Sequence, residues 1–232
     1  MFESVKIGEK HLYDDFDLIL KTKSISPPKP KVETVSIPLR DGDLDLSEVL
    51  TDDIKFDNRE IELSLMYMGD RALWSGVFTN LASYLHGKRM QIIFDDDKNF
   101  YYTGRVAIDK WATNRAVADL VIKIDAEPYK RDLISTLQPW EWDTFDFESG
   151  IINEVDNITV SGTTTVSLIG RRKRVYPTIN VSSAMTLRYN NNSYNLTAGN
   201  NTIYDLLLQE GENLLTFVGN GTAKIDYIGG AL

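Results

Sequence analysis

The chain contains no cysteine at all. That absence excludes disulfides, thiolate metal sites and cysteine nucleophiles together. Histidine is nearly missing as well: His11 and His86 stand apart, and neither has an HExxH or similar neighbour. Each is read as a solvated or packed side chain rather than a ligand. No GxSxG, P-loop or GxGxxG sequence occurs, so the strongest nucleophile and phosphate-cradle signals are lacking. No stretch approaches the roughly 20 apolar residues that a membrane helix needs. The opening Met1-Phe2-Glu3-Ser4-Val5-Lys6 puts an acid where a signal peptide carries base. The expectation is a soluble chain with no membrane partner. An excess of base is also absent, since the net charge is −9 and the pI about 4.8. That is the wrong sign for specific nucleic-acid binding and favours protein partners. The reading assigns no catalytic residue, no metal and no cofactor.

What is present is a globular composition, 42% hydrophobic and 25% charged over 232 residues. A chain of this length buries roughly 70% of the surface its unfolded form exposes, so it folds without staples. It suits two small domains or one large β domain. Two compositions meet near residues 133–150: most charges lie before Leu133, and Asn, Thr, Ser and Gly dominate afterwards. The boundary is therefore placed between a domain of residues 1–133 and one of residues 134–232. The acidic, aromatic run Gln138-Pro139-Trp140-Glu141-Trp142-Asp143 reads as a linker or a first strand.

In the first domain Ile61, Leu63, Leu65 and Tyr67 alternate with Glu62, Ser64 and Met66, the period-2 pattern of a half-buried strand. Met90–Phe94, Phe100–Ile108 and Ala116–Ile124 are further strand candidates. One helix is expected over residues 71–86, where Trp74, Val77, Phe78, Leu81 and Leu85 share a face. Asp70 is placed to cap its start and Gly87 to end it in the left-handed conformation. Ser26-Pro27-Pro28-Lys29-Pro30 excludes a central strand, because proline lacks the donor that a ladder needs. It leads into Val32–Leu39, closed by the turn residues Asp41-Gly42-Asp43, and the segment reads as a hairpin projecting from the domain body.

The second domain has short apolar runs at near-even spacing: Val175–Val181, Met185–Tyr189, Ser193–Leu196, Leu214–Val218 and Lys224–Ile228. Asn190-Asn191-Asn192, Gly199-Asn200, Glu210-Gly211-Glu212 and Gly219-Asn220-Gly221 are read as the turns between them, since Asn and Gly tolerate positive φ. Such spacing implies a β-sandwich or jelly roll.

Few constellations could carry chemistry. Asp95-Asp96-Asp97 could hold a hard cation, but consecutive strand residues point to opposite faces, and a charged hairpin turn is the better account. Asp41-x-Asp43-x-Asp45 begins like an EF-hand loop but lacks its later glycine and glutamate. Arg171-Arg172-Lys173-Arg174 could meet an acidic patch on a neighbouring subunit; the plainer reading is a solvated loop before a strand opening at Val175. Trp140 and Trp142 would share a face on a strand and could stack on a sugar, although packing at a domain junction explains them as well. The N-x-S/T sequences, such as those at Asn157 and Asn195, reflect composition.

Several segments together resemble the distal tail protein (Dit) family of long-tailed bacteriophages. Lys10-His11-Leu12-Tyr13-Asp14-Asp15-Phe16-Asp17-Leu18 looks like the family's first strand and turn. Ile37-Pro38-Leu39-Arg40-Asp41-Gly42-Asp43-Leu44-Asp45-Leu46-Ser47-Glu48 is similar to its "IP…DG.LDL.E" segment. Leu85-His86-Gly87-Lys88, Asp95-Asp96-Asp97 and Tyr101-Tyr102-Thr103-Gly104-Arg105 resemble "L.GK…DDD…YY.GR", and Pro128-Tyr129-Lys130 its domain-closing motif. The resemblance covers about residues 1–131; later residues match only in general pattern.

The resemblance implies a mainly β chain, with an N-terminal split-barrel-like domain bearing one helix and a C-terminal jelly-roll or galectin-like sandwich. It implies a structural, non-enzymatic subunit of the virion tail tip, assembled in the host bacterial cytoplasm. Six copies would form a homohexameric ring joining the major tail protein of the tail tube to a tail-associated fibre or lysin protein, with a receptor-binding protein attached laterally. A ring of identical subunits joins unlike patches. The projecting hairpin suits that contact, with Val32, Val35, Ile37, Leu39, Asp41, Asp43, Leu44 and Asp45 as the candidate contact residues. The alternative is a carbohydrate-binding protein using the C-terminal sandwich, and a hydrolase using Asp95–Asp97 or Glu141–Glu148 ranks behind it.

Overall fold

The computed structural model describes residues 3–114, 117–137 and 155–232. They form two compact units, Met1–Lys130 and Arg131–Leu232. Strands dominate both, in agreement with the expected mainly β class. The first unit contains β1 (Val5–Ile7), β2 (Lys10–His11), α1 (Leu12–Phe16), β3 (Leu18–Ile25), β4 (Thr34–Val35), β5 (Leu44–Asp45), β6 (Arg59–Tyr67), α2 (Trp74–Leu85), β7 (Arg89–Phe94), β8 (Phe100–Thr113) and β9 (Ala118–Ala126). The division falls within β10 (Lys130–Asp132). The sheet of the first unit runs β2-β1-β7-β8-β9-β6-β3.

The alternation read in β6 is realised: Arg59, Ile61, Leu63, Leu65 and Tyr67 are buried while Glu60 and Glu62 are exposed. The central pair β6–β9 sets Ile61, Leu63 and Leu65 opposite Ile124, Ile122 and Leu120, all fully buried. In β8 a register irregularity between Ile108 and Lys110 returns Trp111 to the core face, where it packs against Phe78 at 5.1 Å between ring centroids. One extra residue reverses the side-chain alternation, so without this bulge Trp111 would face away from the helix.

The α2 helix buries Trp74, Leu81 and Leu85. Its first turn is a 3-10 turn over Arg71–Leu73, capped by the Asp70 carboxylate accepting from the Ala72 amide at 2.9 Å. Gly87 ends it at φ +77, so the capping residues act as the sequence indicates. A second, five-residue helix, α1, is an addition to the single helix expected. His11 caps it, and Asp17 at φ 54 closes it.

The second unit contains β11 (Ile158–Gly170), β12 (Thr178–Val181), β13 (Met185–Tyr189), β14 (Asn192–Leu196), β15 (Gly199–Thr202), β16 (Gly211–Asp226) and β17 (Gly230–Ala231). The strand order is β14-β13-β16-β12-β15, with β11 along β16. The residues from Leu214 to Ile228, read as two strands about a Gly219-Asn220-Gly221 turn, instead lie mostly in the single strand β16. It pairs with β11 over Gly211–Ala223, Gly219 facing Gly162. On its other edge β16 pairs with β13 over Thr216–Val218 and with β12 over Ala223–Asp226. A strand that changes neighbours in this way makes a sandwich corner. The two glycines serve close approach rather than chain reversal. A Cβ on Gly219, at φ +151, would lie 2.6 Å from the Met185 Cβ; one on Gly221 would lie 2.5 Å from the Ser182 Oγ.

Other second-unit boundaries also shift. Gly199 and Asn200 open β15 rather than forming a turn, and the Asn180 amide donates to the Asn200 Oδ1 at 2.7 Å. The strand expected from Val175 begins at Thr178, after Pro177, with Val175 making only an isolated bridge to Leu208. The Asn190-Asn191 turn stands, with φ 45 and 64. Asn213 is 3% exposed. Its Nδ2 donates to the Gln209 and Gly211 carbonyls, each at 2.9 Å, and its Oδ1 accepts from the Gln209 amide at 2.9 Å and the Tyr189 hydroxyl at 2.7 Å.

Two buried phenols predict an alkaline limit to stability. Burial raises the Tyr102 pKa, opposed by the Arg59 guanidinium, and burial likewise raises that of Tyr189. A raised folded-state pKa leaves the stability intact below the unfolded value near 10 and removes it as pH rises through the folded one. Unfolding free energy should therefore fall above about pH 10, and Tyr102→Phe should flatten that fall in a denaturant series.

Candidate functional site: a projecting acidic and apolar arm

β3 and β6 continue past the sheet as a pair. The Ser26 amide donates to the Glu60 carbonyl at 2.9 Å, Asp57 to Lys29 at 2.8 Å, and Lys31 to Lys55 at 2.7 Å. Pro30 forms a bridge opposite Phe56, whose ring meets Tyr129 edge-on at 5.9 Å and ties the base of the arm to the body. Beyond this, Leu46 donates to the Glu33 carbonyl, and β4 pairs with β5 in a separate two-stranded sheet. Pro27, Pro28 and Pro30 are tolerated here because, among the described residues, no third strand demands their donors.

Every residue from Lys29 to Asp43 is exposed. All eight candidate contact residues lie on this arm: Val32, Val35, Ile37, Leu39, Asp41, Asp43 and Asp45 exposed, Leu44 half-buried. Leu39 is fully exposed at φ +68, a conformation that costs a branched side chain roughly 1 kcal/mol. Gly42 at φ +72 completes the tip. The Asp45 carboxylate accepts from the Ser47 hydroxyl and amide, which hold its pKa below the ordinary value. A shoulder follows over Glu48–Asp52, closed by the Asp52 amide on the Glu48 carbonyl at 2.7 Å; it leaves Val49 exposed and Leu50 94% exposed. Sequence reasoning missed this shoulder, although apolar residues in a run of acids signalled it. From residue 36 to 53 the acids Asp41, Asp43, Asp45, Glu48, Asp52 and Asp53 are joined by one base, Arg40. The surface offers hydrophobic knobs, carboxylates and unpaired strand edges, the elements of a protein contact.

The other sequence candidates have structural employment. Asp95, Asp96 and Asp97 form the expected turn after Phe94 and are drawn apart by separate partners. Asp95 accepts from the Ser4 amide at 2.8 Å and lies 3.2 Å from the His11 Nε2; Asp96 pairs with Lys23 and Asp97 with Lys130. Asp95→Ala should destabilise the first unit by about 1–2 kcal/mol, by leaving the Ser4 amide unmet. Loss of amide-exchange protection over β1 is the measurement.

His86 accepts from the Ile108 amide at 2.9 Å through Nδ1. Arg171–Arg174 form a loop as expected, but the four are half-buried rather than solvated. The Arg171 Nε lies 2.9 Å from Asp132, and the long side-chain stems can cover apolar surface. No group of acids and histidines able to hold a metal exists among the described residues. Trp140, Trp142 and Glu141–Glu148 lie outside those residues. No described helix is long and apolar enough to cross a membrane.

No family model matches the chain, and no curated protein matches it. Among solved structures it is similar to the Dit protein (gp 19.1) of SPP1, described as a paradigm of the hub adsorption apparatus in phages that infect Gram-positive bacteria. The match has a TM-score of 0.65 at 13% identity and covers 98% of this chain and 99% of that one. The chain thus shares the fold of that Dit protein.

Proposed function

We propose that this chain is a structural hub subunit of a phage tail tip, a non-enzymatic component of the virion assembled in the host cytoplasm. The observation carrying this reading is the likeness to the SPP1 hub protein over nearly the whole of both chains. A partial likeness would support a shared module; one of this extent supports a shared role. Six copies form a ring, residues 1–133 supplying the ring domain and 134–232 the C-terminal sandwich. The ring joins the tail tube to the tail-associated fibre or lysin protein and offers a place for a receptor-binding protein. The arm reaches the neighbouring copy through Val32–Asp45, because exposed apolar residues gathered on one projecting element mark an interaction surface.

Light scattering and negative-stain imaging of one purified fraction test the ring. Particles with a central hole and six times the 26.3 kDa chain mass are expected. A monomer that also fails to co-purify with tail-tube and tail-tip proteins would overturn the role.

A further inference from the structure

The longest open strand edge among the described residues belongs to β11, which is 13 residues long and pairs only with β16. Its partner shows which backbone groups face away. The Thr222 carbonyl accepts from the Ser182 amide at 3.0 Å, and the Thr222 amide donates to the Ser182 Oγ at 2.8 Å. Ser182 follows β12, on the other edge of β16. Both groups of Thr222 therefore turn from β11, and those of Thr159, opposite it in the ladder, point outward. Such pairs alternate with hydrogen-bonded ones in an antiparallel ladder. Ser161, Thr163, Thr165 and Ser167 thus present amides and carbonyls to the open side. The Thr159 carbonyl accepts from the Thr164 Oγ1 at 3.5 Å and the Ile169 carbonyl from the Tyr227 hydroxyl at 3.0 Å. Between them no strand meets the outward groups among the described residues.

Soluble proteins guard such edges with charge, proline, bulges or shortness. The open edge strand β3 carries Lys21, Lys23 and a register irregularity between Leu20 and Thr22. β14 and β15 are only 5 and 4 residues long. β11 has neither a charged residue nor a proline. Its one irregularity, Gly162 at φ +71, leaves Thr163–Ser167 as an unbroken run. Along that run Thr163, Thr165 and Ser167 are exposed, while Val166 is half-buried against the sandwich core. A strand laid on this edge would set alternate side chains beside Val166, where an apolar one completes the burial, and beside the hydroxyls, where threonine or serine fits.

We infer that Thr163–Ser167 receives an extended, uncharged segment of a different protein chain, alternating apolar and hydroxyl side chains, as an added strand of the sandwich. The assignment to a different chain rests on the ring reading. Two β11 edges facing each other would be related by a two-fold axis and stop at a dimer, whereas copies in a ring meet through unlike patches. The arm of a neighbouring copy does not fit either: β4 and β5 are two residues each, and β5 carries Asp45. The edge thus gives the hub a docking site for a partner protein on its second unit.

Amide hydrogen exchange on the full chain tests this residue by residue. Alone, the Thr163, Thr165 and Ser167 amides should exchange roughly tenfold or more faster than those of Thr164 and Val166, which face β16. The probe is a capped peptide of alternating valine and threonine with one lysine at each end, at millimolar concentration. It should slow the three outward amides by roughly tenfold, and the same peptide N-methylated at every residue should not. Thr165→Pro removes an outward donor that β16 does not use; it should abolish the effect, while Thr165→Val keeps it. Slow exchange in the lone chain would show the edge already covered and overturn the inference. No slowing by the open peptide, or equal slowing by the N-methylated one, would overturn it too. Protection that grows with protein concentration alone would give the edge to a second copy and overturn the assignment to a different chain. Light scattering on the same samples separates the two readings: a monomer that still shows the peptide effect would overturn the ring and uphold the edge.

Discussion

Replacing Leu39 and Leu50 together by serine is expected to dissolve the proposed ring while leaving the folded subunit intact. Both side chains lie almost wholly in water in the single chain, so their removal costs the subunit little; surface changes of this kind stay within about 0.5 kcal/mol. At an interface the same side chains are worth roughly 1.5–3 kcal/mol each when fully buried. A conservative loss of about 3 kcal/mol per contact corresponds to roughly a hundredfold weaker association. A closed ring needs every contact formed, so the loss should appear as a mass shift from ring to monomer at concentrations where the unaltered chain is assembled. The melting temperature should hardly move. An unchanged ring mass would remove the arm from the contact, whatever the ring then rests on.

The second large effect is expected inside the sandwich. Asn213→Leu keeps the branching and heavy-atom count of the buried side chain but abandons the Gln209 amide, the Gln209 and Gly211 carbonyls and the Tyr189 hydroxyl, all of which it holds within 2.9 Å. A buried group left unmet costs about 1–3 kcal/mol. The Tyr189 hydroxyl retains the Leu207 carbonyl at 3.1 Å, and the turn can admit water at its exposed side. The net destabilisation should therefore be near 4 kcal/mol rather than the full sum. Chemical denaturation reads this as a lower midpoint, and amide exchange should localise it to the β16 start and its neighbours. A change below about 1 kcal/mol would show that water replaces the amide at no cost.

The local pattern carried much of this molecule. Ile61, Leu63, Leu65 and Tyr67 could only alternate as they do on a strand with one wet face, and Trp74, Leu81 and Leu85 only gather on a helix. Asp70 and Gly87 marked its ends because capping is a property of adjacent backbone groups. Pro27, Pro28 and Pro30 with Asp41-Gly42-Asp43 marked the arm for the same reason: they state what the backbone there cannot do. Such signals are short-range, and a single sequence contains them in full.

What failed was long-range. Gly219 and Gly221 have the composition of a turn, yet their reason lies in Met185 and Ser182, some 35 residues away, whose approach leaves no room for a Cβ. β11 went unread because a strand of Thr and Ser shows little apolar alternation until its partner β16 is known. Asn213 looks like any polar residue before a strand; only its burial among four backbone and phenol groups makes it structural. The acids at positions 95–97 likewise pass from a possible cation site to three separate pairings once Ser4, His11, Lys23 and Lys130 are brought to them. The sequence by itself determined the fold class, the helix, the arm and the absence of thiol and motif chemistry, because these depend on neighbouring residues and on composition. Only the tertiary structure decided which glycines turn the chain, which polar groups are buried, and that the arm's leucines stand uncovered, because each depends on what distant segments bring to, or withhold from, the same place.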